Sequence, residues 1–424
     1  MRKGTTDVEE TVAFAALRHR DFRAYFVTSM LAMMADQIEH VIGYWVIFQL
    51  FHSPALAGFA VISHWIPFLL LSMYSGALAD RFDCRRLIQV AQLIFMGVTL
   101  AWGTLFLTGS LQVWHTVVLL IVHGLAGTLW EPAGQLILHD LVGPQHLQSA
   151  VRLNATARQL GILLGPAVGG ALMLIFAPAT GLLLNAIIYL PLIVWLQTVP
   201  YTGHSRAALD GVKERRVGWQ DALGVLSGVS GNRVILSMVL LAGFSSLFVG
   251  NAFLAQMPEF AQDLGTDEAG FGYSALLLAN GAGAVIGGLL LEVRGLLQAR
   301  GRTAIVLAIL WCLAISGFTT ASSFPFALAL LFVAGIFNLA FYAMAQTLVQ
   351  LFAPLHLRGR LLGLFSMSGL GFRTFSGVTV GMLGSLIGIH WSLGLSSGAL
   401  LVVTIALLAF MGPSDREESS TAAG

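Results

Sequence analysis

The sequence predicts an all-α membrane protein with twelve transmembrane helices. Three observations carry this. Of its 424 residues 57% are hydrophobic and only 10% charged, against roughly 25% charged in soluble domains. Twelve apolar runs are long enough to cross a bilayer, which takes about 20 residues. The basic residues also fall on one side of these runs. The spans read 22–50, 55–79, 87–108, 113–138, 147–176, 179–199, 233–256, 270–292, 303–321, 325–351, 359–388 and 391–411.

Orientation follows from lysine and arginine in the short loops. With a cytoplasmic amino terminus, the outer loops near 51–54, 109–112, 177–178, 257–269, 322–324 and 389–390 contain neither. All 22 basic residues then lie inside or within spans. Both termini are expected in the cytoplasm, with the chain in the bacterial inner (plasma) membrane. The first 21 residues lack a compact apolar stretch and a small-residue cleavage site, so no removable signal is expected. Two cysteines, Cys84 and Cys312, exclude a disulfide framework. A net charge of +1 suggests no nucleic-acid partner.

The polar stretch 200–232 separates six spans from six, giving an amino-terminal bundle (1–199), a central loop and a carboxy-terminal bundle with a short tail (233–424). Within the loop, 217–229 reads as an interfacial helix or a linker. An internal repeat supports two pseudo-symmetric bundles. A shift of 210 residues lays Arg23 on Arg233 and Pro144-x-His146-Leu147 on Pro354-x-His356-Leu357. A shift of 212 lays Gly76 and Asp80 on Gly288 and Glu292.

Between the second and third spans runs GALADRFDCRR, with Gly76, Leu78, Asp80, Arg81, Arg85 and Arg86 in a G-x-L-x-D-R-x-x-x-R-R pattern. It resembles the loop at this place in the major facilitator superfamily. That resemblance implies the facilitator fold of two six-helix bundles, a substrate site between them, and a role for the loop in latching the halves and gating. Asp83 stands where the family usually has glycine, which bears on the turn geometry. LRHRDFRAYF, from Leu17 to Phe26, resembles the basic, aromatic leading helix of the family. In the fifth span, Arg158-Gln-Leu-Gly161-x-x-x-Gly165-Pro166-x-x-Gly169-Gly170 is similar to the helix-five motif of the superfamily's exporters. The branch it most resembles contains the enterobactin exporter and macrolide and drug efflux proteins. Glycines there permit close helix approach, and Pro166 a bend.

Ionisable groups inside a span cost about 2.5–3.5 kcal/mol on insertion scales and are functional candidates. Asp36, Glu39 and His40 fall at i, i+3 and i+4, on one face of the first span. Asp36 lies about 20 Å from Phe22, near the membrane centre. Counting depth from the cytoplasmic ends sets Glu131 level with Arg158 as an ion pair; Arg373 sits in the eleventh span. Asp36, Glu39, Glu131, Arg158 and Arg373 are the expected proton-coupling or substrate-charge residues. His40, His64 and His123 are expected to pack through hydrogen bonds. Aromatic and amide residues are expected to line a cavity suited to an amphipathic solute: Tyr44, Trp45, Trp65 and Trp130 with Asn154, then Asn338, Tyr342 and Gln346.

Aligning Gly124 with the glycine of the R-x-x-x-G pattern of proton-coupled drug antiporters puts Leu120 where that family has arginine. Coupling either passes to Arg158 or differs from that scheme. No P-loop, nucleophile with a base, cofactor site or metal-ligand spacing appears in the sequence, so no enzyme is expected. The expected function is proton-coupled efflux of a small amphipathic organic solute, of drug or siderophore type, by a monomer in the lipid bilayer. The alternatives are an uptake symporter or facilitator, and a non-transporting sensor or lipid-handling protein.

Overall fold

A computed structural model describes residues 14–203, 232–266, 270–294, 300–353, 361 and 364–411. The interfacial helix expected at 217–229, the central-loop cations, the Pro354–Leu357 repeat partner and the tail lie outside them.

All regular structure among these residues is helical. A short turn of helix, Ala15–Arg18, precedes α1 (Arg20–Phe51). The expected leading helix is therefore not separate: extended backbone at His19 (φ −79°, ψ 121°) divides it, and the remainder joins α1. In α2 (Pro54–Arg81), Ser53 caps the first turn and Pro54 occupies a position needing no amide donor. Helix α3 follows (Cys84–Leu107).

The run Val113–Ile188 is helical except at Gly143 (φ 69°, ψ 174°) and Ala177 (φ 64°, ψ 159°), each followed by proline. Proline disfavours helical geometry in the residue before it. Those two breaks divide the run into α4 (113–142), α5 (144–176) and α6, which ends with Leu190–Thr198. Next come α7 (Arg233–Asp263), bent at 249–251, α8 (Phe271–Arg294), α9 (Gly301–Thr319) and α10 (Phe324–Phe352). Helix α11 (Leu364–Ile387) contains two π-helical stretches, Met367–Gly371 and Gly377–Met382, flanking Arg373. Gly388 (φ 87°) turns the chain into α12 (Ile389–Met411). These twelve helices form the two six-helix bundles of a multi-pass membrane protein.

Large apolar side chains such as Leu386, Trp391 and Val402 point outward, 81%, 70% and 68% exposed. Lipid, not water, is the solvent that suits them. Small residues set the inner spacing. A Cβ on Gly165 would lie 2.3 Å from Gln37 Cβ, so α5 presses directly on α1. One on Gly124 would lie 2.0 Å from the Ser63 carbonyl, so α4 presses on α2.

The two bundles touch closely toward the end opposite the arginine loop. A Cβ on Gly58 of α2 would lie 2.5 Å from the Gly377 carbonyl and 2.8 Å from Gly381 Cα of α11. Gln256 Nε2 donates to the Pro54 carbonyl at 3.1 Å, and the Tyr273 hydroxyl to that of Val41 at 2.9 Å. Trp45 and Tyr273 stack at 5.8 Å with 12° between rings.

At the arginine loop several contacts run within the first bundle. Arg85 pairs with Asp83 at 2.7 Å and also donates to the Val199 carbonyl. The Cys84 amide donates to Thr202 at 2.9 Å, and that of Gly203 to Asp140 at 2.7 Å. Asp83, at the family's glycine position, has φ −53° and caps α3 by accepting from the Arg85 amide at 2.9 Å. A negative φ needs no glycine, and the cap supplies a reason for aspartate.

Candidate functional site

Helix α1 supplies the centre of the site. One turn of it presents Asp36, Glu39 and His40 toward α2, α3 and α4, as their spacing requires. His123, 3% exposed on α4, sits between the two carboxylates. Its Nδ1 is 2.9 Å from Glu39 Oε1 and its Nε2 is 2.9 Å from Asp36 Oδ1. The first contact is a directed hydrogen bond. The second is a close ion-pair contact without a well-directed hydrogen bond at the buried Nε2.

Thr99 of α3 donates to the other oxygen of Glu39. Asp36 Oδ2 accepts from Gln37 Nε2 at 2.8 Å. His40 Nδ1 meets the Asp36 carbonyl at 2.8 Å, and its Nε2 lies 3.2 Å from His64 Nδ1. The two carboxylates are thus separated by an imidazole instead of repelling each other across open space. The sequence reading gives the histidines hydrogen-bonded packing, but it names neither Thr99 nor the two carboxylates that His123 bridges. Side chains that linear spacing leaves apart, Asp36, His40, His64 and His123, are brought together here from α1, α2 and α4.

Beside the cluster opens a chamber of about 520 Å³, counting the space that is continuous with open solvent. Trp65, Phe68, Phe95 and Trp130 give it aromatic walls; Glu131, Arg158, Asn251 and Arg373 give it polar points. Glu131 and Arg158 form the ion pair expected from their depths. The Arg373 guanidinium lies 5.0 Å from the Trp65 ring centroid, a cation–π contact across the two bundles. Among the described residues Arg373 has no acidic partner. The widened turns on either side suit such a position, because π turns displace the backbone and recur at functional sites.

A second space of about 480 Å³ is lined by Tyr44, His40, Trp65, Pro166 and Asn251. A third, about 350 Å³, holds Asn154 beside Glu131 and Arg158. Trp45 takes another place: it is 6% exposed and stacked against Tyr273 in the contact between bundles. On α10, Tyr342 packs against Phe365 and Gly369, Asn338 is half-buried and Gln346 is exposed. None of these three lines the spaces just described. Of the helix-five motif, Gly165 and Gly169 face α1, Gly170 faces Ser274 of α8, and Pro166 reaches the second space. Gly76 and Arg81 close α2, Arg85 takes the contacts given above, and Arg86 reaches Gln89 at 3.5 Å; the Asp80 side chain lies outside the described set.

The family profile described as transmembrane secretion effector matches residues 11–423. The chain belongs to the major facilitator superfamily. The family is one of transporters, not of enzymes. This chain is 26% identical to the MFS-type transporter YfiS of Bacillus subtilis (strain 168) over 250 residues, 55% of this chain and 59% of YfiS. It is 23% identical to the staphyloferrin A transporter of Staphylococcus aureus (strain NCTC 8325 / PS 47) over 166 residues, 39% of this chain and 42% of that one. The matched segments thus span less than two thirds of either relative. The fold also matches an inward-facing, occupied bacterial homolog of the human lysosomal transporter Spinster. There the TM-score is 0.68 at 14% identity, covering 92% of this chain and 95% of the other.

Proposed function

We propose that this facilitator exports a small amphipathic organic solute in exchange for protons, by alternating access to the chamber between its bundles. The observation that carries the reading is the chamber itself. Its aromatic walls suit an apolar body, and the Glu131–Arg158 pair with Arg373 offers fixed charge to a polar group. The family description as secretion effector favours export.

Of the carboxylates named from sequence, Glu131 faces a cation on the chamber wall, whereas Asp36 and Glu39 are engaged by His123. Glu131 is therefore assigned the exchanged proton. A solute donor group binds the ionised carboxylate, and a proton arriving there displaces it. Alternation requires that the solute bind the two states unequally. Segments 1–199 and 233–424 are taken as the rocking units, in the inner membrane with both ends cytoplasmic.

A second reading rests on the same ion pair. A proton on Glu131 releases Arg158, and an acidic solute then gains a cation beside Arg373. Proton and anion would assist each other, which is the sign of co-transport, and hence uptake under an inward proton gradient.

Everted vesicles and proteoliposomes separate these readings. Export predicts accumulation inside everted vesicles and solute exchange that survives in Glu131→Gln but no longer follows the pH gradient. Gradient-driven accumulation only in right-side-out vesicles would replace export by co-transport. A Glu131→Gln protein with unchanged gradient dependence would remove Glu131 from coupling.

A further inference from the structure

We infer that Asp36, His40, His64 and His123 form a binding site for a divalent transition metal of the zinc class, set in the wall of the chamber. This goes beyond the transport reading and does not depend on it. Each residue offers one ligand atom, and all four such atoms lie within 4.8 Å of one another. A tetrahedral ion with bonds of about 2.0–2.2 Å holds its ligand atoms about 3.3–3.5 Å apart. His40 Nε2 to His64 Nδ1 is 3.2 Å and His123 Nε2 to Asp36 Oδ1 is 2.9 Å, so these edges need only small expansion. The three imidazole centroids form a triangle with sides of 4.7, 4.9 and 5.4 Å.

The nitrogen left over is the second observation. His123 Nε2 is fully buried and lies 2.9 Å from Asp36 Oδ1 without a well-directed hydrogen bond, so a cation set between the two would satisfy both. Its other nitrogen donates to Glu39, whose far oxygen is fixed by Thr99. That carboxylate–histidine relay is how ligating imidazoles are oriented and made more basic. His40 is fixed in the same manner, Nδ1 on the Asp36 carbonyl and Nε2 turned inward. The Gln37 amide holds the Asp36 oxygen that does not face His123.

Three imidazoles and one carboxylate suit a borderline cation over magnesium or calcium, which take oxygen ligands. The ion would join α1, α2 and α4 at one point. His40 and His64 also border the larger spaces, so an ion can reach the site from the chamber side.

Cobalt(II) is the probe, because its visible absorption is intense in tetrahedral sites and weak in octahedral ones. Full-length protein in detergent, stripped with chelator, is titrated with Co²⁺ and then with Zn²⁺. The expected result is one intensely absorbing Co²⁺ per chain, displaced by Zn²⁺ and absent from His64→Ala and Asp36→Asn. Thr99→Val and Glu39→Gln should weaken binding about 10- to 100-fold, as removal of outer-shell partners does. His19→Ala serves as the control, since His19 and His146 form a separate pair 2.8 Å apart that could bind metal adventitiously.

If a ligand variant fails to fold, X-ray absorption of the zinc-loaded wild type decides, with three nitrogens and one oxygen expected. A weak octahedral-type spectrum, or a signal lost in His19→Ala and kept in His64→Ala, overturns the site.

Discussion

Replacing Gly165 by alanine tests the packing that holds the cluster in place. The added Cβ would lie 2.3 Å from Gln37 Cβ, 3.2 Å from the Met34 carbonyl and 3.3 Å from Gln37 Cα. Carbon atoms rest about 3.5–4.0 Å apart, so α1 and α5 must separate by about 1 Å. Two of the obstructing atoms are backbone and the third is a Cβ, so no rotamer change relieves the clash. Overpacking of this kind costs about 1–3 kcal/mol, against a gain of about 0.5–1 kcal/mol from alanine over glycine in a helix. The net expectation is a loss of up to about 2.5 kcal/mol, read as a lower thermal unfolding temperature in detergent. The same face supplies a graded series. A Cβ on Gly161 would meet Met33 Cβ at 2.7 Å, and one on Gly169 only ordinary contacts at 3.4 Å. Damage should therefore fall in the order Gly165→Ala, Gly161→Ala, Gly169→Ala. Gly97→Ala, which meets nothing within 4 Å, should match or exceed the wild type. Because Gln37 holds the Asp36 carboxylate, Gly165→Ala should also weaken cobalt binding. A Gly165→Ala protein as stable as Gly97→Ala would refute the packing argument.

Asp83→Ala should cost about 1 kcal/mol by removing the α3 cap. Partial burial opposes ionisation of Asp83, but the hydrogen bonds from Arg85 outweigh it and hold the carboxyl below the usual range. Its contribution is therefore present above the ordinary carboxylate value and lost as pH falls through the folded one, so mutant and wild-type unfolding temperatures should converge in acid. Gly203→Ala should destabilise more than an ordinary loop substitution: φ is +85° and the new Cβ would lie 2.5 Å from Cys84 Sγ, so iodoacetamide labelling of the buried Cys84 should accelerate. Gly58→Leu should wedge α2 from α11 and admit a maleimide to an Asn251→Cys site from the end opposite the arginine loop; protection equal to that of the Asn251→Cys parent would count against the seam.

The sequence makes the α1 face legible because helical periodicity fixes Asp36, Glu39 and His40 relative to one another. Equal depth is also enough to pair Glu131 with Arg158, since neighbouring antiparallel helices share a membrane frame. Joining His64 and His123 to that face requires knowing which helices touch and in what rotation. The determinant is Gly124, whose missing side chain lets α4 rest on the Ser63 carbonyl. His123 follows from Gly124 and His64 from Ser63, so the contact that glycine permits brings the two imidazoles to 5.4 Å. Small residues beside polar ones were the available signal, but they do not name their partners. Trp45 shows the opposite failure. An aromatic residue one turn from the cluster reads as cavity wall, yet its ring is spent against Tyr273 in the contact between bundles.

One helix joins these features. Along α2, Gly58 meets Gly377 and Gly381, Trp65 lies against Arg373, and Leu69 touches Gly371, so α2 and α11 stay in register over three turns. Parting the seam at Gly58 as a rigid body must also lift Arg373 from Trp65. That cation–π contact is worth about 0.5–2 kcal/mol, depending on its desolvation. A solute polar group that takes over Arg373 in the chamber replaces the contact and lowers the cost of parting the seam. A solute that spans Trp65 and Arg373 together adds to that cost. Under the proposed transport, the same guanidinium would convert the position of a bound solute into a preference for one of two states, which is the differential affinity that alternating access demands.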